Sequence, residues 1–527
     1  MIGRRTFLGA GAAALAAPHI VAAEATRVLK MIPQIDLTVF DPVWTSSYAT
    51  RNHGMMVFDT LYGMDEHYRI WPQMVAGHTV EDAGKTWRLT LRPGLNFHDG
   101  TPVLARDCVA SINRWGKRDS LGQTLMALTD ELSAADDRTI VFRLKKPFAL
   151  LPGALGKPSS NICAIMPERL AKTDPFTAVT EMVGSGPFRF KASELLSGSR
   201  IVYERNTDYV PRDQGVPSFT SGPKIVHFDR VEWHVINDAA TAANALLKGE
   251  VDWWEQTSPD LLPLLRSNKG LKVEIQDRTG NIGLMRPNFL HPPFDNPAIR
   301  RALWSVIDQK DFSVAGGGAD PLLTRVPVGV FCPGTPMDSD VGMDLLTGPR
   351  DYDRARRDLQ AAGYKGEKVV MLQATDATLN NAFANVAADM LKKIGMNVEL
   401  QASDWGTLVT RRAKKDRPDQ GGWNIFFTSF AGMDLFNPAT DPLVRGNGTA
   451  GWFGWPTMPA LERLRDAWLD APDLAGQQKI AREIQAEVFR EVPYYPLGQI
   501  LIPTAYKTDL TGMLNGGYVI SWNVKRA

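Results

Sequence analysis

The sequence contains little cysteine. Its 527 residues include three, Cys108, Cys163 and Cys332, which lie far apart and show no C-x-x-C spacing. This number and spacing exclude a disulfide-rich framework and disfavour a structural zinc site. At most one pair could form a disulfide, and we expect three buried thiols instead.

An excess of charge of one sign is also missing. The 59 Lys and Arg residues balance 58 Asp and Glu residues, which gives a formal charge of +1. A nucleic-acid-binding protein normally carries a basic patch or stripe, so this balance disfavours such a partner. After residue 23 no apolar run approaches the roughly 20 residues that a membrane-spanning helix needs, which predicts no stable membrane insertion.

Motifs for catalysis and metal binding are absent as well. The sequence has no H-E-x-x-H, no G-x-S-x-G and no EF-hand loop, and its eight histidines are scattered. Ser221 and Lys224 match S-x-x-K, but they lie in a Gly- and Pro-rich stretch where a helix would be needed. We therefore predict no catalysis, no cofactor and no metal site, with an exported serine hydrolase using these two residues as an alternative.

The N-terminus has the features of an export signal. Arg4-Arg5-Thr6-Phe7-Leu8 precedes a short Ala-, Gly- and Leu-rich run, and small residues follow at Ala22 and Ala23. A basic start, a short apolar segment and a small-residue cleavage site are typical of a secretory signal peptide, and the arginine pair resembles a twin-arginine signal. We predict a signal peptide over residues 1–23, cleavage near Ala23 and a periplasmic mature protein.

The remaining chain mixes strand and helix patterns. Alternating apolar residues predict strands over 86–91 and 139–144, and Trp253-Trp254 reads as a buried strand. An N-cap at Asn296 with Pro297 at the first helical position predicts a helix that extends to Ile307. The Asp277–Asn281 stretch separates two strand-like runs and is a candidate crossover between lobes. These patterns predict a soluble α/β protein.

Five motifs follow one another along the chain: Leu91–Pro102 with Ala105-Arg106-Asp107, Val183–Phe188, Tyr203–Tyr209, Ala245–Asp252, and Pro292–Pro297 with Arg300–Leu303. Taken in order, they resemble the peptide/nickel-binding family of extracytoplasmic solute-binding proteins that serve ABC importers. The resemblance implies two lobes with mixed sheets, a central cleft and an extra subdomain in lobe I. The expected divisions are residues 24–278 for lobe I with the subdomain at about 60–182, 279–500 for lobe II, and 501–527 for a return to lobe I.

The resemblance also implies candidate ligand-binding residues. Asp434 matches the position at which peptide-binding members pair an Asp with the ligand's amino group, although an Asp at this place could simply cap a turn. The Arg that dipeptide-specific members use for the ligand's carboxylate has no counterpart near Ala374. Aromatic and polar residues expected at the cleft are Phe430, Trp405, Trp452, Trp44, Thr45 and Ser46, and for each Trp core packing is the competing interpretation.

We therefore expect a periplasmic receptor, monomeric, that captures a peptide or similar small solute. The implied partners are two transmembrane permease subunits with their ATPases. A nickel-chelate, haem or opine receptor of the same fold is an alternative, since a shared fold does not fix the ligand. A structural or chaperone role is a further alternative.

Overall fold

The computed structural model describes residues 27–527, so the predicted signal peptide lies outside the described residues. Within this range the chain alternates strands, α-helices and short 3₁₀ turns. The strands are β1 (Val28–Ile32), β2 (Tyr62–Met64), β3 (Ile70–Pro72), β4 (Val75–Glu81), β5 (Thr86–Leu91), β6 (Thr129–Ala134), β7 (Thr139–Leu144), β8 (Phe188–Phe190), β9 (Arg200–Arg205), β10 (Arg230–His234), β11 (Trp253–Trp254), β12 (Leu271–Glu274), β13 (Asn281–Pro287), β14 (Thr324–Arg325), β15 (Lys368–Ala374), β16 (Asn397–Ser403), β17 (Ile425–Ala431), β18 (Tyr495–Ile500), β19 (Thr504–Lys507), β20 (Leu510–Thr511) and β21 (Lys525–Arg526).

The helices alternate with these strands along the chain. They are α1 (Tyr48–Val57), α2 (Ala105–Trp115), α3 (Ser120–Leu128), α4 (Leu151–Gly156), α5 (Glu168–Ala171), α6 (Ala239–Leu247), α7 (Leu262–Ser267), α8 (Pro297–Ala302), α9 (Gln309–Gly317), α10 (Asp344–Thr347), α11 (Tyr352–Ala361), α12 (Thr378–Lys393), α13 (Trp405–Arg411), α14 (Pro459–Leu469) and α15 (Leu474–Glu491). Among residues 27–527, no helix combines the length and apolar character needed to cross a membrane.

Two mixed sheets define two lobes. The sheet of lobe I has the order β12-β19-β11-β1-β10-β9-β8, in which β1 runs parallel to β10 and β11 and the other pairs are antiparallel. The sheet of lobe II has the order β14-β18-β13-β17-β15-β16, in which β15 runs parallel to β16 and β17. The chain passes between the lobes twice, from β12 to β13 and from β18 to β19. Lobe I therefore contains strands from both ends of the described chain.

A third sheet lies within the lobe I segment of the chain. It is antiparallel, with the order β4-β5-β7-β6, and its strands span residues 75–144. Its inward side chains, including Leu89, Ile140 and Phe142, are fully buried, as the alternating pattern predicts. The strands at 86–91 and 139–144 have the bounds that the sequence indicates.

The helix predicted after Asn296 is shorter than expected. The Asn296 side chain caps it by accepting a hydrogen bond from the Ala298 N–H at 2.9 Å. The α-helix ends at Ala302, because Leu303–Ser305 tighten into a 3₁₀ turn that places Trp304 against α15, where its indole N–H donates to the Phe489 carbonyl at 3.1 Å. Tertiary packing therefore overrides the local pattern.

Buried apolar side chains form a core that continues from one lobe into the other. One cluster joins Tyr518 and Phe219 of lobe I to Met433 and Val330 of lobe II. The lobes are thus packed together in a closed arrangement. Cys108, Cys163 and Cys332 are buried and unbridged, which confirms the expected free thiols.

Candidate functional site

A hydrogen bond between a tyrosine and a carboxylate joins the two lobes. The hydroxyl of Tyr48, the first residue of α1, donates to Asp434 Oδ2 at 2.7 Å and accepts from the Ala431 N–H at 3.0 Å. Asp434 is 9% exposed and lies three residues beyond the end of β17. Burial, reinforced by the Asp434 carboxylate, holds the pKa of Tyr48 well above its usual value. The hydroxyl therefore stays protonated and remains a donor.

The turn that follows β17 presents Asp434 at the lobe interface. A Cβ on Gly432 would lie 2.3 Å from the Thr279 carbonyl oxygen and 2.5 Å from Cys332 Sγ, so only glycine allows this close approach. Thr279 belongs to the crossover between the lobes. The close packing of Gly432 against this crossover therefore helps to fix the position of Asp434.

A cavity of about 40 Å³ lies between the lobes beside this contact. Its volume suits water but is far below the roughly 300–1,000 Å³ of typical ligand pockets. The lobes must therefore separate before a ligand can enter. The cavity is lined by both lobes and both crossovers, through Gln34, Tyr48, Arg51, Glu255, Gln256, Gln276, Asp277, Gly280, Asn281, Ala431, Ile502, Thr504, Gly517, Tyr518 and Val519.

One buried cation and two carboxylates belong to the cavity lining. Arg51 is 3% exposed and stacks on the rings of Tyr48 and Tyr518, at 4.9 and 4.0 Å from their centroids. Its Nη1 atom is buried without a hydrogen-bond partner. Burial raises the pKa of Glu255 to about 7, and it also raises the pKa of Asp277. Lobe closure thus places ionisable groups in a poorly solvated space.

Neutral groups supply the hydrogen bonds of these two carboxylates. Glu255 accepts from the Gln34 N–H at 2.8 Å and from Asn52 Nδ2 at 3.0 Å. Asp277 Oδ1 accepts from the Thr279 N–H and hydroxyl at 2.8 and 2.6 Å and from the Gly280 N–H at 3.1 Å. Asp277 lies in the predicted crossover, whereas Glu255 directly follows the Trp pair of β11, where the sequence suggested only core.

The structure brings three of the predicted aromatic residues together in lobe II. The Arg412 guanidinium carbon lies 5.3 Å from the Trp405 ring centroid and 5.8 Å from that of Trp452, and Phe430 packs edge-on against Trp452 at 5.4 Å. Phe453 lies closer to Arg412, at 4.8 Å. Burial lowers the pKa of Arg412 to about 10. The protein's own cation therefore occupies this aromatic cluster in the closed arrangement.

The predicted residues of lobe I lie next to Tyr48 but outside the lining of this cavity. The Trp44 indole N–H donates to the Phe176 carbonyl at 3.0 Å. Thr45 accepts from the Ser47 N–H through its hydroxyl at 3.3 Å, and the Ser46 carbonyl accepts from the Ser160 hydroxyl at 3.0 Å. The sequence predicted Trp44, Thr45 and Ser46 but gave no signal for Tyr48, which directly follows Ser47 and begins α1.

The residues of the hydrolase alternative do not form a catalytic pair. The Lys224 ammonium is fully buried and binds Asp59 Oδ1 at 2.7 Å, and the Ser221 hydroxyl donates to the Ser218 carbonyl at 2.9 Å. The Lys224 ammonium is engaged with Asp59 and the Ser221 hydroxyl with a backbone carbonyl, so the two side chains are not hydrogen-bonded to each other as a nucleophile and its base would be. Within residues 27–527, no group of three or more His, Cys, Asp or Glu side chains is placed to hold a metal ion.

Comparisons with known proteins agree with this architecture. The family model for bacterial extracellular solute-binding proteins, family 5 Middle, matches residues 69–449. A "probable peptide ABC transporter periplasmic-binding protein" of Sinorhizobium fredii is 38% identical over 535 aligned positions, which cover 100% of both chains.

Solved structures show the same fold. The agropinic-acid complex of the periplasmic binding protein AgaA from A. tumefaciens has a TM-score of 0.77 at 21% identity and covers 95% of this chain and 99% of its own. The Met-Leu complex of a dipeptide-binding protein from Pseudoalteromonas has a TM-score of 0.77 at 18% identity and covers 95% and 100%. Because the family model spans more than half of the sequence and the Sinorhizobium relative matches it end to end, the chain belongs to family 5 of the bacterial extracellular solute-binding proteins.

Proposed function

We propose that this solute-binding protein captures a peptide, or a similar small solute with a free amine, between its lobes and delivers it to the permease subunits of an ABC importer. The observation that carries the proposal is the Tyr48–Asp434 hydrogen bond across the lobe interface. Asp434 uses one carboxylate oxygen for Tyr48 and can offer the other to a ligand ammonium. Such a pair strengthens when closure excludes water.

Aromatic side chains extend this site along lobe II. Phe430 lies on β17 shortly before Asp434 and packs against Trp452. Trp452 and Trp405 both lie near the Arg412 guanidinium. These three rings are half-buried, so they can contact the apolar parts of a ligand. From lobe I, we place Trp44, Thr45 and Ser46 at the rim that the ligand meets when the lobes are open.

The mature chain acts as a binding protein without catalysis. We propose that it is exported through the twin-arginine signal of residues 1–23, functions as a monomer in the periplasm, and delivers its ligand there to the two transmembrane subunits, which work with their ATPases. The lobes would comprise residues 24–278 and 279–500, with the return segment at 501–527 and the extra subdomain at about 60–182. The sheets support these divisions, since both crossovers fall at the proposed boundaries.

Asp434→Ala should weaken binding of an amine-terminated peptide at least about tenfold, or about 1.4 kcal/mol, because the ammonium loses its carboxylate. Isothermal titration calorimetry with the best-binding peptide of a di- to pentapeptide panel measures this change. The same peptide with an acetylated amino terminus should show little difference between the two proteins.

Asp466→Ala provides the matched control, because Asp466 is exposed on α14 of the same lobe. An affinity that Asp434→Ala leaves unchanged contradicts the amine-binding role. Opines and nickel chelates belong in the same screen, since binding of one of these in place of every peptide would favour the alternative receptors.

A further inference from the structure

We infer that the natural ligand carries at least two positive charges, one of them bound in the cavity between Glu255 and Asp277. This inference rests on the proposed function and specifies its ligand class. Arg51 is the single basic residue in the lining of that cavity, whereas Glu255 and Asp277 line it and Asp434 is bonded to its wall through Tyr48. Three carboxylates and one guanidinium leave two negative charges at the closed interface.

These three carboxylates, of which Glu255 and Asp434 are buried and Asp277 is half-buried, lack the cationic partner that several other buried acids have. Elsewhere Arg114 binds Asp41 at 2.7 Å and Lys157 binds Asp119 at 2.8 Å, with all four side chains buried. Within the described chain, by contrast, Glu255, Asp277 and Asp434 form no ion pair within 4.0 Å, and Arg51 acts on Glu255 and Asp277 only from a greater distance. An unpaired buried carboxylate is costly, so closure without a cation is disfavoured unless a proton is taken up.

Three polar atoms of the same cavity lining also lack a hydrogen-bond partner. Gln276 Oε1, the Tyr518 hydroxyl and Arg51 Nη1 are buried without a hydrogen bond, and their residues are 3%, 5% and 3% exposed. Gln276 Oε1 can accept an N–H of the ligand, whereas the other two can donate to a carbonyl or carboxylate oxygen. A peptide backbone next to a cationic side chain supplies both kinds of group.

The charge of the ligand is thereby coupled to closure. With the lobes apart, water solvates the three carboxylates, and closing them around a dication replaces that water with direct ion pairs. A ligand with one amine can neutralise Asp434 but leaves the other two carboxylates unpaired. The raised pKa values of Glu255 and Asp277 agree with this imbalance.

The test compares matched probes at about pH 8, where Glu255 is ionised. The peptides are Ala-Lys-Ala, the same tripeptide with norleucine at its centre, and Ala-Glu-Ala. The non-peptide pair is pentane-1,5-diamine and pentylamine. Calorimetry should show that the lysine peptide binds at least about tenfold tighter than the norleucine peptide. Glu255→Gln should reduce this ratio below about threefold while binding of the norleucine peptide changes little.

Glu250→Gln is the control for Glu255→Gln, because Glu250 is exposed in the same lobe and lies outside the cavity lining. Equal affinity for the lysine and norleucine peptides overturns the inference and leaves peptide capture standing. If no peptide binds but pentane-1,5-diamine binds more tightly than pentylamine, peptide capture is wrong and the inference of a dicationic ligand is supported. If no peptide binds and the diamine binds no more tightly than the monoamine, both peptide capture and the dicationic ligand are contradicted. Circular dichroism melts verify that each variant folds.

Discussion

At the scale of single residues, the site depends on Tyr48 as much as on the predicted Asp434. The sequence indicates Asp434 because its place in the chain matches a position in the family that the chain resembles. Tyr48 lies 386 positions away, and no local pattern connects the two. A sequence can suggest that a carboxylate belongs to a cleft, but its partner across the cleft depends on how the lobes close.

Glu255 should make the ligand-free protein less stable as the pH rises from about 4.5 to about 7. Burial raises its pKa from 4.5 to about 7, so the folded protein holds a proton that the unfolded chain has already released. This contribution is complete below about pH 4.5 and is lost as the pH passes through about 7. It amounts to about 3 kcal/mol.

Urea unfolding of the native protein and of Glu255→Gln across this range measures the effect. The difference between their free energies of unfolding isolates Glu255 from Arg51, Asp277, Tyr48 and Tyr518, which line the same cavity in both proteins. A difference that does not vary with pH would mean that Glu255 is well solvated in the folded state.

At the scale of elements, local patterns predicted the strands and helices that tertiary contacts do not alter. β5 and β7 match their alternating patterns, and Asn296 caps α8 as expected. The apolar pattern predicted that α8 would continue to Ile307, but the helix ends at Ala302 because Trp304 packs against α15. Local rules hold where an element's own hydrogen bonds dominate and fail where another element competes for the same residues.

Gly280→Ala should impair the crossover from β12 to β13. Gly280 has a φ of +50°, and an added Cβ would lie 2.4 Å from the Ile500 carbonyl oxygen, at the start of the other crossover. We expect a loss of about 1–3 kcal/mol in the free energy of unfolding and weaker ligand binding, because backbone strain and a steric clash act together. Urea unfolding and calorimetry measure the two effects.

Gly366→Ala separates these causes. Gly366 has a φ of +90° but nothing within 4 Å of an added Cβ, so this variant retains the backbone strain without the clash. Equal losses in the two variants would show that the contact with Ile500 is unimportant.

At the scale of the whole molecule, the Tyr48 hydroxyl helps to hold the lobes closed. Tyr48→Phe removes bonds to Asp434 and Ala431, so it should weaken ligand binding by about 1.5–3 kcal/mol, or roughly ten- to a hundredfold. It should also reduce the decrease in radius of gyration that saturating peptide causes in the native protein. Calorimetry and small-angle X-ray scattering test these expectations.

Tyr209→Phe is the matched control, because the Tyr209 hydroxyl also binds a carboxylate, Asp59 Oδ2 at 3.0 Å, but within lobe I. Its loss should lower stability without changing closure or affinity. If the two variants weaken binding equally, the interlobe bond is not what holds the lobes closed.

The sequence by itself determined the family, the mixed α/β class and the absence of a disulfide framework, because turn motifs, hydrophobic periodicity and cysteine spacing are local properties of the chain. It also indicated Asp434 and an aromatic surface in lobe II. Only the tertiary structure decided that Tyr48, Arg51, Glu255 and Asp277 meet at one cavity. Tyr48 and Arg51 share one face of α1, but Glu255 follows β11 and Asp277 lies in a crossover, so only the fold of lobe I brings these residues together and only lobe II covers them. Closure itself turns ordinary solvated charges into a buried, unbalanced cluster.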